Sequence, residues 1–198
     1  MAKKAKLPPM LKRKVLIVVD MQNDFTTGAL KNDVATACAE KIADFINRWP
    51  GIIVCTMDTH DEDYMNTMEG KYLPVPHCIY ETEGWKLHPA IEKALKERHD
   101  MKMGIHDDLV LYKRQFGMKP NAYDFTLGEL VAMGRVESFT LCGTCTDICV
   151  VSNALMLKAL YPNIEVNIRA DVCAAVDEEG QRAALKVMER CQCNILEG

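Results

Sequence analysis

The sequence lacks an apolar run long enough to act as a signal peptide or to cross a membrane. The first residues are basic, AKKAKLPPMLKRK, and the apolar run that follows them, VLIVVDM, is short and contains an aspartate. A run of this kind is typical of a buried strand. We therefore expect a cytoplasmic protein without a membrane partner.

The sequence also lacks the features of a disulfide-bonded secreted protein. It contains nine cysteines, an odd number, and no secretory segment. This combination favours a reducing compartment, in which thiols serve as core residues, metal ligands or catalysts.

Positive charge is scarce outside the beginning of the chain. The net charge is −4, and the first fourteen residues hold six basic residues and no acidic one, so the remaining residues together carry about −10. An acidic body of this kind binds nucleic acid poorly, and we expect no nucleic-acid partner.

No internal repeat, low-complexity block or interdomain linker divides the chain. With 198 residues, of which 48% are hydrophobic, it is long enough to bury one core. We predict a basic tail over residues 1–13 and a single domain over residues 14–198.

Short apolar runs alternate with amphipathic segments along the whole chain, which is the pattern of βαβ units. The apolar runs are nearly continuous, as expected for parallel strands that helices cover on both faces. The sequence therefore predicts an α/β fold with a doubly wound, six-stranded parallel sheet. The predicted strands span residues 15–19, 52–57, 109–112, 138–141, 164–168 and 194–196. The first predicted helix is capped by Asp33, and the others span residues 89–99, 126–133, 146–160 and 177–190. Residues 60–87 are predicted to form a long functional loop.

Polar or nucleophilic residues directly follow four of the predicted strands. They are Asp20, Asp58 with His60, Lys113 and a cysteine cluster at residues 142–149. In a doubly wound sheet, ligands bind beyond the carboxyl ends of the strands, where the winding reverses. We expect these side chains to meet at one rim, where Asp20 transfers protons and Lys113 stabilises negative charge.

The stretch LCGTCTDICVV places three thiols after the fourth strand. Cys149 lies in the first turn of a predicted helix capped by Thr146 or Asp147, where the helix dipole favours a thiolate nucleophile and the backbone N–H groups form an oxyanion site. Cys145 precedes the cap and offers its N–H, and Cys142 is expected in the core. The alternative is a thiol redox pair formed by Cys142 and Cys145.

A second cluster combines Asp58 and His60 with His77 from a proline-containing loop. One carboxylate and two imidazoles are three ligands for Zn²⁺, with Fe²⁺ or Mn²⁺ suited nearly as well. The alternative is a hydrogen-bonded loop without metal.

Together these residues resemble the isochorismatase-like cysteine hydrolases. The resemblance rests on VVDMQNDF with Asp20, on Lys113 after the third strand, and on GTCTDICV with Cys149. It implies the isochorismatase-like hydrolase fold with strand order 3-2-1-4-5-6 and a catalytic triad of Asp20, Lys113 and Cys149. It also implies a non-proline cis peptide between Thr144 and Cys145, so that the N–H groups of Cys145 and Cys149 face the oxyanion.

Within this family, Asp58, His60 and His77 match the metal ligands of the nicotinamidase branch, which hydrolyses nicotinamide to nicotinate and ammonia. Isochorismatase proper lacks the nucleophilic cysteine, and the carbamoylsarcosine and ureidoacrylate amidases generally lack this metal trio. The sequence departs from the nicotinamidase pattern at Thr59, where a tryptophan is usual, and in the PVP before His77.

The resemblance implies a small-molecule amide substrate and a homo-oligomer, either dimer or tetramer. We expect the substrate ring to stack on aromatic side chains, and the candidates are Phe25, Tyr64 and Trp85. A related cysteine hydrolase that acts on another amide, ureide or ester is the alternative to a nicotinamidase.

Overall fold

The computed structural model describes residues 12–101, 109–118, 127–132 and 134–198. The predicted basic tail lies almost entirely outside the described residues, as do both ends of the helix predicted over residues 126–133. The expectations for these segments remain predictions.

The predicted parallel sheet is confirmed, including its strand order β3-β2-β1-β4-β5-β6. Each neighbouring pair of strands is parallel. All residues of β2 are buried, and because successive residues of a strand face opposite sides, both faces of the sheet are covered there. The strands are β1 (Arg13–Val19), β2 (Ile52–Asp58), β3 (Leu109–Lys113), β4 (Val136–Thr144), β5 (Glu165–Ala174) and β6 (Asn194–Leu196).

Helices connect the strands, and no helix among the described residues is both long and apolar enough to cross a membrane. The loop predicted over residues 60–87 contains a 3₁₀ turn and one short helix. The helices are α1 (Asn23–Thr26), α2 (Asp33–Arg48), α3 (Met68–Tyr72), α4 (Pro89–Met101), α5 (Leu127–Ala132), α6 (Val151–Leu160) and α7 (Glu178–Arg190), and Tyr64–Asn66 is the 3₁₀ turn.

The predicted caps of two helices are wrong. Helix α2 is capped by Asn32, whose side chain accepts a hydrogen bond from the N–H of Ala35, and Asp33 is already its first residue. The helix predicted from residue 146 begins with a π-helical turn, Thr146–Val150, which has no side-chain cap. Asp147 instead accepts a hydrogen bond from the N–H of Val176, and so it links this turn to the segment after β5.

The centre of the sheet aligns the ends of its strands. Val19 at the end of β1 is paired with Thr56 on one side and with Gly143 on the other. A Cβ at Gly143 would lie 2.2 Å from the carbonyl oxygen of Val19, so only glycine allows this approach. Asp58 is paired with Lys113 in the same way. The residues that directly follow these strands therefore lie at the same edge of the sheet.

Candidate active site

Lys113 is the centre of the site. Its ammonium lies 2.7 Å from Asp20 Oδ2 and 3.2 Å from Asp58 Oδ1, and it donates to Cys149 Sγ at 3.5 Å. The side chain is only 1% exposed. Burial alone would lower the pKa of Lys113, but the negative charges around it raise that pKa well above its ordinary value. Lys113 is therefore a buried ammonium held by anionic neighbours.

Asp20 is completely buried and occupies a left-handed backbone conformation, with φ of 48°. The hydroxyl of Thr56 donates to Asp20 Oδ1 at 2.6 Å, while Lys113 faces Oδ2. Burial raises the pKa of Asp20, and the charge of Lys113 opposes this shift. A carboxylate with a raised pKa is suited to taking up a proton.

Cys149 lies in the π-helical turn and is 5% exposed. Its carbonyl accepts a hydrogen bond of 2.8 Å from the side chain of Asn153 on α6. Burial raises the pKa of Cys149 well above its ordinary value, and the charge of Asp20 raises it further. Burial therefore opposes the thiolate that the helix start was expected to favour, and the role of Cys149 as the nucleophile stays a prediction.

The peptide bond between Thr144 and Cys145 is cis, as the resemblance implied. The carbonyl of Cys145 accepts the N–H groups of Ile148 and Val150 and so closes the turn. Among the described residues, no acceptor takes the N–H of Cys145.

Cys142 lies in the core, as predicted. It is completely buried in β4, and its electrostatic neighbours are Cys173, Cys55 and Arg169 rather than Cys145. Cys145, in contrast, lies near Asp20 and Lys113. All nine cysteines belong to the described part of the chain, and none forms a disulfide. This arrangement does not favour a redox pair of Cys142 and Cys145.

A cluster of metal-ligand side chains lies beside Lys113. Asp58 Oδ2 is 3.1 Å from His60 Nε2 and 3.5 Å from His77 Nε2, and Glu69 Oε1 lies 3.7 and 3.8 Å from the same two nitrogens. One ligand atom from each of the four residues lies within 4.8 Å of the others. Two imidazoles and two carboxylates suit Zn²⁺ and similar divalent ions.

The surroundings of the cluster hold the imidazoles in ligand orientation. The carbonyl of Val75 lies 2.8 Å from His77 Nδ1, so the ring places its proton on Nδ1 and leaves Nε2 free for a metal. The ring of Tyr64 packs edge-on against both His60 and His77, at centroid distances of 4.7 and 5.1 Å. Burial would raise the pKa of Asp58, but its contacts with the two imidazoles and the charge of Lys113 lower it below its ordinary value.

Glu69 was missed by the sequence reasoning. It lies on α3, a five-residue helix inside the segment predicted as an irregular loop, and Thr67 caps this helix by accepting from the N–H of Gly70. The Thr67–Gly70 stretch, TMEG, is a short cap signal that could have indicated a helical turn there. Only the fold of the loop brings Glu69 to the histidines.

A cavity of about 870 Å³ opens onto both groups of residues. Asp58, Glu69 and His77 line one part of it, and Cys145 and Cys149 line another. Its remaining wall is largely apolar and includes Phe25, Leu30, Leu73, Phe116, Ile148 and Val176.

The cavity contains one of the three predicted aromatic residues. Phe25 lines it, but Tyr64 and Trp85 are not part of its wall. Tyr64 lies behind the imidazoles and donates its hydroxyl to the carbonyl of Leu73. Trp85 packs against Tyr80 and Tyr112 and donates its indole N–H to Thr59 at 2.9 Å. The expectation that Tyr64 and Trp85 stack on a substrate ring is corrected accordingly.

Comparison with known proteins agrees with this fold. The isochorismatase domain profile matches residues 14–197. A nicotinamidase of Acinetobacter baylyi is 28% identical over 184 residues, which cover 83% of this chain and 83% of that protein. A solved pyrazinamidase/nicotinamidase of Streptococcus mutans is 26% identical with a TM-score of 0.76, over 92% of this chain and 99% of its own.

A pyrazinamidase of Pyrococcus horikoshii, solved in complex with zinc, superposes with a TM-score of 0.69 over 94% of this chain and 99% of its own. Its identity is 24%, so this likeness concerns the fold alone. The domain match spans nearly the whole sequence, and the sheet order fits the solved relatives. The chain belongs to the isochorismatase family.

Proposed function

We propose that this protein is a metal-containing cysteine amidase that hydrolyses nicotinamide to nicotinate and ammonia. Its nicotinamidase relatives support a hydrolase that acts on carbon–nitrogen amide bonds. One observation carries the finer proposal: the buried ammonium of Lys113 contacts Asp20, Cys149 and Asp58 together. A nucleophile with its base and a metal-ligand cluster thus form one continuous centre that faces one cavity.

The first step is attack by Cys149 on the amide carbon. Asp20 removes the thiol proton as the sulfur–carbon bond forms, because burial favours the protonated form of Cys149 and raises the pKa of Asp20. Lys113 remains charged and stabilises the anionic sulfur and carboxylate during this transfer.

The second step releases ammonia. The backbone N–H groups of Cys145 and Cys149 stabilise the oxyanion, and a donor of this kind is typically worth about 10²–10³ in rate. Asp20 returns its proton to the departing nitrogen, which leaves a thioester on Cys149. Water, deprotonated by Asp20, then hydrolyses the thioester and restores the thiol.

Asp58, His60, Glu69 and His77 would hold a divalent metal ion beside this centre. The fit rests on four mutually close ligand atoms and on the tautomer that Val75 imposes on His77. When bound, the ion supplies a positively charged anchor for the ring nitrogen of the substrate. We propose zinc, and iron or manganese would suit the same ligands. Phe25, whose ring lies 5.4 Å from that of His77, forms part of the adjacent cavity wall.

A related amide, ureide or ester substrate is the second candidate. The cavity wall supports it, because the wall contains the aliphatic residues Leu73 and Ile148, whereas Trp85, a candidate for stacking on a nicotinamide ring, is not part of it. The cavity volume of about 870 Å³ lies in the upper part of the range that fits drug-sized ligands, about 300–1,000 Å³.

Ammonia release from nicotinamide, pyrazinamide and several ureides, measured with and without added metal, tests the proposal. Nicotinamide turnover is expected in the metal-replete protein, with complete loss in Cys149→Ala and retention in Cys142→Ser, the matched thiol control. If nicotinamide is inert under metal-replete conditions while a ureide is hydrolysed, the second candidate replaces the first.

A further inference from the structure

Gln22 is a completely buried polar residue that takes no part in the proposed reaction. It follows Asp20 by two positions and directs its amide toward the end of β2. Its Nε2 donates to the carbonyl of Asp58 at 2.8 Å and to the carbonyl of Trp85 at 2.7 Å. Its Oε1 accepts the N–H of Asp58 at 2.7 Å. One side chain therefore binds both backbone polar groups of a metal-ligand residue.

This contact constrains the direction of the Asp58 carboxylate. Because Gln22 holds the N–H and the carbonyl of Asp58 together, the backbone on both sides of its Cα is fixed. From this fixed backbone the Asp58 side chain places one oxygen toward Lys113 and the other toward His60. A buried amide that loses such partners leaves unsatisfied polar groups, so the arrangement resists distortion.

Asp24 also binds the backbone beside a metal-ligand residue, in the loop that carries His77. Its Oδ2 accepts the N–H of Cys78 at 2.7 Å, directly after His77 in the chain. Cys78 has a φ of 45°, a left-handed conformation that is uncommon for residues with a side chain, and its carbonyl accepts the N–H of His60. Asp24 therefore holds the residue that connects both imidazole ligands.

The close packing around Asp24 reinforces this contact. A Cβ added at Gly84 would lie 2.1 Å from Asp24 Oδ2, so a side chain at that position would displace the carboxylate. The N–H of Asp24 donates to the carbonyl of Gly84 at 2.9 Å.

We propose that Gln22 and Asp24 are positioning residues that fix Asp58, His60 and His77 in ligand geometry and so set the affinity of the site for a divalent metal ion. This inference rests on the metal site of the proposed function. It assigns a role to the middle of the VVDMQNDF motif. Asp20 takes part in the reaction, whereas Gln22 and Asp24 hold the metal-ligand cluster in place.

Asn23, between them, is a matched control. Its side chain donates to the carbonyl of Glu83 at 2.8 Å in an exposed contact with the same loop, but it contacts no metal-ligand residue. Asn23→Ala removes a tether of the loop without touching Asp58, His77 or Cys78.

The experiment measures Zn²⁺ affinity of the full-length protein by competition with a chromophoric chelator, together with the Tm of the metal-free form. Residues that orient metal ligands typically contribute about 10–100-fold in metal affinity, and we expect losses of this size in Gln22→Met and in Asp24→Ala. The Zn²⁺ affinity of Asn23→Ala should stay within about twofold of the wild-type value, a much smaller change than the loss expected for Gln22→Met and Asp24→Ala. Excess Zn²⁺ should restore nicotinamide turnover in Gln22→Met and Asp24→Ala, whereas a variant with a damaged fold would not be rescued.

The outcomes separate this inference from the proposed function. The positioning role is overturned, and the proposed function stands, if wild type binds Zn²⁺ and both Gln22→Met and Asp24→Ala lose no more affinity for it than Asn23→Ala does. If wild type binds none of Zn²⁺, Fe²⁺ or Mn²⁺, the metal site and this inference fail together. If Gln22→Met does not fold, Gln22→Glu decides, since it keeps an acceptor for Asp58 but loses the donor.

Discussion

Lys113 Nζ lies 3.2 Å from Asp58 Oδ1, so the lysine that contacts the nucleophilic thiol also contacts a metal-ligand carboxylate. The two oxygens of Asp58 serve different partners, because Oδ2 faces His60 and His77. These side chains are buried, and buried charges are screened poorly. A change of charge at the metal-ligand cluster therefore alters the electrostatic energy of Lys113 and Cys149, and the reverse also holds.

Replacement of Lys113 by Met is expected to abolish measurable amidase activity and to lower stability. The change leaves the carboxylates of Asp20 and Asp58 buried without their cation, and breaking a buried pair in this way typically costs about 3–5 kcal/mol. Activity and the free energy of unfolding measure the two effects. Lys186→Met, which removes an exposed partner of Glu189, is the control and should change neither quantity appreciably. Near-normal activity in Lys113→Met would contradict its role as the charge centre.

Thr56→Val is expected to shift the acidic limb of the kcat/KM profile to higher pH. The Thr56 hydroxyl donates to Asp20 Oδ1 and lowers the pKa of this carboxyl, so its removal raises that pKa further. Because Asp20 must be ionised to accept the thiol proton, activity then appears only at higher pH. Thr59→Val removes a buried hydroxyl that contacts Met57 and Trp85, and it should leave the limb in place. An unmoved limb in Thr56→Val would argue against Asp20 as the base.

Glu69→Gln is expected to weaken metal binding while the fold is kept. The substitution preserves shape but removes a negative charge from a group whose ligand atoms lie within 4.8 Å of one another. A chelator should inactivate this variant at lower concentration than wild type, and its metal-induced rise in Tm should be smaller. Glu62→Gln, at an exposed position of the same loop, is the matched control. Identical chelator sensitivity in both variants would exclude Glu69 as a ligand.

Stability is expected to fall as the pH rises above about 9. Burial raises the pKa of Cys142 and Cys149 well above the ordinary value of 9.0, and that of Cys173 to about 12. The unfolded chain releases these protons first, so their contribution is complete below pH 9 and is lost as the pH rises toward the folded-state values. Each thiol contributes a slope of up to about 1.4 kcal/mol per pH unit.

Denaturant unfolding between pH 8 and 10 under reducing conditions measures this slope. Cys142→Ala should make it shallower, whereas Cys191→Ser, which changes an exposed thiol, should leave it unchanged. A slope that is the same in wild type and Cys142→Ala would contradict the assignment to buried thiols.

Much of the fold could be predicted because its signals are local. Apolar runs such as Val15–Val19 mark strands buried on both faces, and parallel strands bring their following residues to one edge. The positions of Asp20, Lys113 and Cys149 follow from this rule once the strand order is known. The family resemblance supplied that order and the cis peptide before Cys145.

Other features depend on contacts between segments far apart in the chain. Trp85 was a candidate for stacking because it is aromatic, but it is not part of the cavity wall and donates its indole N–H to Thr59. Glu69 joins the histidines only because residues 60–87 fold back on themselves. Apolar periodicity carries no information about such a loop, since its conformation is set by side-chain hydrogen bonds to other segments.

By itself, then, the sequence determined the sheet and the strand-end residues that carry reactive groups, because both follow from patterns of a few neighbouring residues. Only the tertiary structure decided the burial of Cys149, the place of Glu69 beside the two histidines and the shared contact of Lys113 with Asp20 and Asp58. These depend on burial and on distances of 2.7–3.8 Å between residues up to 93 positions apart, which no local pattern encodes.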